Sequence, residues 1–79
     1  MNTKDITINL NRETLVDRIV DILEGRILTG ELKPTAKLSE ARVAKEFGVS
    51  RVPAREALQR LQEMNLVRKT RLGREVAKF

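Results

Sequence analysis

The sequence predicts one small, mainly helical domain that ends in a short β-hairpin. Its 79 residues are enough for a single domain. Three segments repeat apolar residues at the period of an α-helix, and two short strand-like stretches around a glycine follow the last of them, as in a hairpin. Apolar residues make up 41% of the chain, which allows a compact but thin core.

The first helix is expected to begin at Asn11 or Arg12, after a flexible N-terminal arm over residues 1–10. Asn11 is a suitable N-cap, and Gly30 is a reasonable C-terminal stop. Apolar residues alternate at positions 6, 8 and 10, so a short strand within the arm is an open alternative. The apolar stripe of the helix consists of Leu15, Val16, Ile19, Val20, Leu23 and Ile27.

Two further helices are predicted on either side of a three-residue turn. Ser39 is placed to cap a short second helix, which Gly48 ends in a left-handed conformation. Ser50 is placed to cap the third helix, and Pro53 falls at its third position, where the missing N–H has no intrahelical partner. Asn65 is suited to close this helix. Its apolar stripe consists of Ala54, Ala57, Leu58, Leu61 and Met64.

The tail predicts two strands, Leu66–Thr70 and Glu75–Phe79, with Gly73 supplying a positive φ in the turn between them. Helix, helix, short turn, helix and hairpin is the layout of a winged helix-turn-helix, which we assign to residues 11–79. The third helix of such a domain can enter the major groove of duplex DNA, which is wide enough to admit it.

Charge and composition narrow the function further. The net charge is +5, and residues 1–50 hold eight basic and eight acidic side chains, so the whole excess lies in residues 51–79. A segregated basic surface suits a polyanion, either nucleic acid or an anionic membrane face, and a solvated face without a partner is the alternative.

The absence of cysteine and histidine from the sequence argues against catalysis, because it removes the usual zinc ligands and the usual general base. We therefore expect no enzyme activity, no catalytic residues, no metal site and no cofactor. No segment approaches the roughly 20 apolar residues of a membrane span, and no secretory signal opens the chain, which favours a cytoplasmic location.

The outward face of the third helix is the first candidate site for DNA. At about 100° per residue, Arg51, Arg55, Gln59 and Gln62 lie opposite the apolar stripe. Arginine at the start of such a helix can bond O6 and N7 of guanine, or bind phosphate. The Ser50 hydroxyl is either a plain N-cap or an N-cap that also reaches phosphate.

The basic hairpin is the second candidate site. Arg71 and Arg74 flank Gly73 and are expected to lie nearest the DNA backbone or the minor groove. Glu56 and Arg60 are four residues apart and are expected to form a surface ion pair. The positive charge of the hairpin comes from Arg68, Lys69, Arg71, Arg74 and Lys78.

Three stretches, residues 38–40, 43–44 and 47–58, resemble the signature of the GntR family of bacterial transcription regulators. That signature reads L-S-E, then L-A, then G-V-S-R-x-P-V-R-E-A-L. The part from Pro53 to Leu58 is most similar to the FadR subfamily. The resemblance covers about residues 15–76. It implies DNA contacts through Ser50, Arg51, Val52, Arg55 and Gly73. Ala41 stands where some relatives have a DNA-contacting arginine. Its neighbour Arg42, which faces about 100° away on the helix, is also a candidate, and Gln59 is a candidate from the outward face of the third helix.

The resemblance also implies a cytoplasmic, dimeric repressor or activator that binds a short pseudo-palindromic operator in double-stranded DNA. Family members usually carry a further C-terminal domain of ~150 residues, an ordinary domain size, that dimerises and binds a small effector. In FadR-type relatives the effector is often a carboxylic acid, sometimes with a metal. Because the sequence stops after the hairpin, we expect either a DNA-binding fragment or a standalone module. The alternative function is a winged-helix protein-interaction module.

Overall fold

The computed structural model describes the backbone of residues 3–78 and the side chains of residues 14–78. Over this range the helices are α1 (Thr3–Leu28), α2 (Glu40–Phe47) and α3 (Arg51–Glu63). The strands are β1 (Lys37–Leu38), β2 (Val67–Thr70) and β3 (Gly73–Val76). Three helices and a small antiparallel sheet, built from β1 and the hairpin β2–β3 that follows α3, confirm the predicted winged helix-turn-helix.

The start of α1 differs from the prediction. The helix begins at Thr3, not at Asn11 or Arg12, and residues 6–10 belong to it and form no strand. No glycine or proline precedes Gly25 in the sequence, so nothing interrupts the helix in this direction. The alternating apolar residues at positions 6, 8 and 10 could form a strand only by pairing with a neighbouring strand. The sheet of the described residues contains only β1, β3 and β2, in that order.

The core lies between α1 and α3 and extends under the sheet. The two predicted stripes meet there, and Leu58 and Leu61 of α3 are fully buried. Burial of such a side chain stabilises the fold by roughly 1.5–3 kcal/mol. Met64 was also expected on this stripe, but it is 42% exposed because α3 ends at Glu63 and Met64 is its C-cap. Among residues 14–78, the two helices bury Val16, Ile19, Val20, Leu23, Ile27, Pro53, Ala54, Ala57, Leu58 and Leu61.

Both ends of α2 are capped as predicted, whereas the start of α3 is not. The Ser39 hydroxyl accepts the N–H of Arg42 at 3.1 Å, and Gly48 takes a left-handed φ of 65°. The next N–H, that of Val49, then reaches back to the Ala44 carbonyl at 3.0 Å, the pattern of a Schellman C-cap. Ser50 occupies the N-cap of α3 with extended backbone, but its side chain makes no capping hydrogen bond.

The sheet differs from the predicted hairpin in two ways. β1 is an additional strand, with Leu38 opposite Arg74, and two residues are too few to leave a periodic pattern in the sequence. The hairpin is also tighter than expected: Thr70 pairs with Gly73, so β3 begins at Gly73 instead of Glu75 and ends at Val76. Gly73 has a φ of 122°, which glycine adopts easily, and this lets the chain re-enter the sheet after a two-residue loop.

Candidate DNA-binding surface

The exposed face of α3 carries the side chains that the sequence singled out. The side chains of Arg51 and Arg55 are 66% and 51% exposed. Val52 and Gln59 are exposed beside them. The buried stripe of α3 faces α1 and holds the helix in place, so the first two turns present two guanidinium groups and one apolar side chain outward.

Glu40 of α2 links these two arginines to each other. Its Oε1 atom accepts a hydrogen bond from Arg55 Nε at 3.2 Å and lies 3.9 Å from Arg51 Nη2. α2 has only eight residues and a three-residue turn separates it from α3, and these contacts place the first turn of α2 beside the first two turns of α3. In the sequence, Glu40 stood out only as the last residue of the L-S-E stretch, and this contact across two helices was missed.

Arg74 approaches the same carboxylate from the sheet. Its Nη1 donates to Glu40 Oε2 at 3.0 Å, and its Nε donates to Gln62 Oε1 at 3.2 Å. Its side chain is only 13% exposed. Arg74 was expected at the tip of the hairpin together with Arg71, whereas the structure places it within β3, where it ties the sheet to α2 and α3. Gln62, expected on the outward face, is partly buried and accepts this bond.

These contacts keep Glu40 ionised. The hydrogen bond from Arg74 is the main cause that lowers the pKa of Glu40 below its ordinary value, and the hydrogen bond from Arg55 adds to it. Partial burial of the carboxylate opposes the shift, because it penalises the charged form. The carboxylate therefore offers two fixed negative oxygens, one to Arg74 and one to the arginines of α3.

The hairpin tip, which we call the wing, consists of Arg71, Leu72 and Gly73. All three are exposed. The Thr70 hydroxyl fixes the loop by donating to the Gly73 carbonyl at 2.9 Å and accepting the N–H of Leu72 at 3.3 Å. A groove of about 300 Å³ separates the wing from the start of α3. It is lined by Leu38, Ser39, Glu40, Arg51, Lys69, Gly73 and Arg74.

Other predicted residues lie apart from this groove. Arg42 is exposed on α2 and lines a different groove, together with residues of α1 such as Arg26. Arg60 forms an ion pair with Asp17 of α1. The sequence suggested Glu56 as a partner of Arg60, and the contact with α1 was not predicted. Arg68 of β2 forms an ion pair with Glu75 of the neighbouring strand β3, whose Oε1 is 3.5 Å from Arg68 Nε.

A basic winged helix that exposes arginines on the third helix defines the class of protein as a DNA-binding domain of a transcription regulator. The sequence model of the "Bacterial regulatory proteins, gntR family" matches residues 15–75. The chain belongs to this family. Within residues 3–78, no helix is long and apolar enough to cross a membrane.

Individual relatives agree with the family assignment. The chain is 39% identical over 64 residues to the gluconate operon transcriptional repressor of Bacillus licheniformis. The matched region is 81% of this chain and 26% of the repressor. It is 39% identical over 59 residues to the mannosyl-D-glycerate transport/metabolism system repressor MngR of Escherichia coli, 73% of this chain and 25% of MngR. The crystal structure of a GntR family member from Pseudomonas syringae pv. tomato superposes with a TM-score of 0.79 at 35% identity, covering 85% of this chain and 29% of that one.

The chain thus spans about a quarter of the length of these relatives. Both relatives are named as repressors, a class of protein distinct from enzymes. The comparisons cover the winged helix and do not distinguish the FadR subfamily from the rest of the family.

Proposed function

We propose that this domain recognises a short DNA operator by placing the first two turns of α3 in the major groove. The observation that carries the proposal is the pair of exposed arginines, Arg51 and Arg55, side by side at the start of a helix whose other face is fully packed. Each guanidinium can donate two hydrogen bonds to one guanine, or bind a backbone phosphate.

The neighbours of these arginines extend the proposed contact. Val52 is 48% exposed and offers an apolar surface to a thymine methyl group. The Ser50 side chain is not held by a capping bond, so it can rotate to donate its O–H to a phosphate at the helix N-terminus. Gln59 lies two turns further along the same face, and Arg42 remains a candidate for a separate backbone contact on the α2 side.

The wing is the proposed second contact. Arg71 and Gly73 are exposed at the hairpin tip, where a long cation and a bare backbone can approach the phosphates or the minor groove. Arg74 contributes to this contact from beneath: it orients the wing through Glu40 and Gln62, and its remaining exposed edge adds positive potential.

For the whole regulator we propose the finer properties that the resemblance implies. These are a cytoplasmic homodimer on a pseudo-palindromic operator, a small-molecule effector bound outside the winged helix, no enzyme activity in this domain and membership of the FadR subfamily. The run from Pro53 to Leu58 supports the subfamily assignment. Dimerisation has a physical reason as well, because one module of this kind covers only about 600–1,000 Å² on DNA and binds a half-site weakly.

The test is selection of bound duplexes from a random pool, using two copies of the chain joined by a flexible linker. We expect an enriched motif with two related half-sites, and binding far tighter than that of one copy because the second half-site is bound at high effective concentration. Failure to enrich any sequence would overturn the proposal. A single copy that sediments as a tight dimer would overturn the half-site interpretation.

A further inference from the structure

We propose that Glu40 is a positioning residue that gives this domain its sequence discrimination by aiming Arg55, and with it Arg51, at the DNA. The inference rests on the proposed function, since it assumes that these arginines contact DNA. It adds a residue that does not itself reach a base or a phosphate but determines how well two others do.

The two carboxylate oxygens of Glu40 contact different arginines. Oε2 is occupied by Arg74, which is itself held by Gln62, so the carboxylate is fixed from behind by the sheet and by the far end of α3. Oε1 is left for Arg55 and Arg51. The side chain of Glu40 is only 19% exposed, so it is wedged between these cations and is not free to follow them into solvent.

The bond to Arg55 uses one particular edge of its guanidinium. Because Nε donates to Glu40, the two terminal amino groups remain free, and they form the fork that binds O6 and N7 of guanine. A long side chain that is held in one orientation before binding loses less conformational freedom on binding. Glu40 therefore favours the one arrangement in which Arg55 reads a base edge.

The same contact weakens attraction to random sequence. An arginine next to a carboxylate at 3.2 Å contributes less net positive potential than a free one, and phosphate attraction is the sequence-independent part of DNA binding. Loss of the Glu40 charge should thus strengthen binding to any duplex while weakening the preference for the right one. A contribution to folding alone would move neither quantity in this way.

The experiment compares the affinity of the 79-residue chain for the selected duplex with its affinity for random duplex of the same length, over a range of salt concentrations. For Glu40→Gln we expect the ratio of the two affinities to fall about 5-fold to 100-fold, which is the discrimination that one bidentate base contact provides. We also expect random binding to tighten and its log–log salt slope to steepen by about one unit.

Two further variants complete the comparison. Glu46→Gln is the control: it removes the same charge from α2, but this residue pairs with Arg26 of α1, so the ratio should stay unchanged. Glu40→Asp keeps the charge but is too short to span both partners, so the ratio should fall without tighter random binding. This variant also carries the test if Glu40→Gln does not fold.

A double variant shows whether Glu40 acts through Arg55. In an Arg55→Gln background, Glu40→Gln should cause little further loss of discrimination, because the side chain it positions is gone. Equal changes in selected and random affinity for Glu40→Gln, or full discrimination in Glu40→Asp, would overturn the inference while leaving the proposed function standing. Absence of any preference in the wild-type chain would overturn the proposed function and this inference together.

Discussion

Replacing Arg74 with methionine should destabilise the domain although the residue belongs to the basic hairpin. The side chain is 13% exposed and makes two hydrogen bonds, at 3.0 Å to Glu40 and at 3.2 Å to Gln62. A hydrogen bond to a charged partner contributes about 1.5–3 kcal/mol and one to a neutral partner about 0.5–1.5 kcal/mol. Methionine keeps an unbranched apolar stem but lacks the guanidinium group and so loses both bonds, and the free energy of unfolding should fall by about 2–4 kcal/mol.

Urea unfolding followed by circular dichroism measures this directly. A domain of this size has a total stability of roughly 4–12 kcal/mol, so the loss is a large fraction of it. With an m-value of about 1–3 kcal/mol per molar urea, the midpoint should drop by about 1 M or more.

Arg71→Met is the matched control for Arg74→Met, because it makes the same substitution three residues away in the exposed loop. Surface changes of this kind usually stay within about 0.5 kcal/mol. If Arg74→Met were as stable as Arg71→Met, the reasoning that Arg74 ties the sheet to the helices would be refuted.

The remaining predictions concern the wing and pH. Arg71→Gln should flatten the salt dependence of binding by about one unit, equally for selected and random duplex, and an unchanged slope would show that the wing does not touch phosphate. Gly73→Val should cost about 1–3 kcal/mol in thermal unfolding, because its φ of 122° strains any residue with a side chain; a wild-type melting temperature would contradict this. Because the folded pKa of Glu40 is lowered, its contribution to stability should be complete at neutral pH and begin to fall as the pH drops through about 4.3, the usual value in unfolded chains. It should be gone below the folded pKa. The stability difference between wild type and Glu40→Gln should shrink over that range, and a difference that does not change with pH would argue against the ionised contact.

The helical part of the fold could be predicted because its signals are local. Apolar residues at helical spacing, the N-cap Ser39 and the stop at Gly48 act through neighbouring residues, and the structure confirms them. Asn65 likewise takes the expected left-handed φ, at 63°. β1 lacked any such signal, since a two-residue strand is defined only by its partner β3. The predicted start of α1 was wrong because a residue suited to the N-cap marks a possible beginning of a helix but does not prevent the helix from extending further toward the N-terminus.

The candidate site was predicted as a set of residues but not as an arrangement. The helical period identified Arg51 and Arg55 as outward-facing, since it depends only on spacing along one helix. The position of Arg74 depends on the register of the hairpin: once Gly73 pairs with Thr70, Arg74 lies inside the sheet. The contact between Arg74 and Glu40 joins residues 34 positions apart, and no spacing rule along the chain reveals it.

The most direct test of DNA recognition by α3 is the affinity of Arg51→Ala and Arg55→Ala for the selected duplex. Both side chains are exposed, so the variants should keep the wild-type fold and melting temperature. Arg60→Ala is the control, an arginine of the same helix that pairs with Asp17 of α1. Each of the first two changes should weaken specific binding by roughly 1–3 kcal/mol, whereas Arg60→Ala should change it little. Unchanged affinity in both Arg51→Ala and Arg55→Ala would contradict the account.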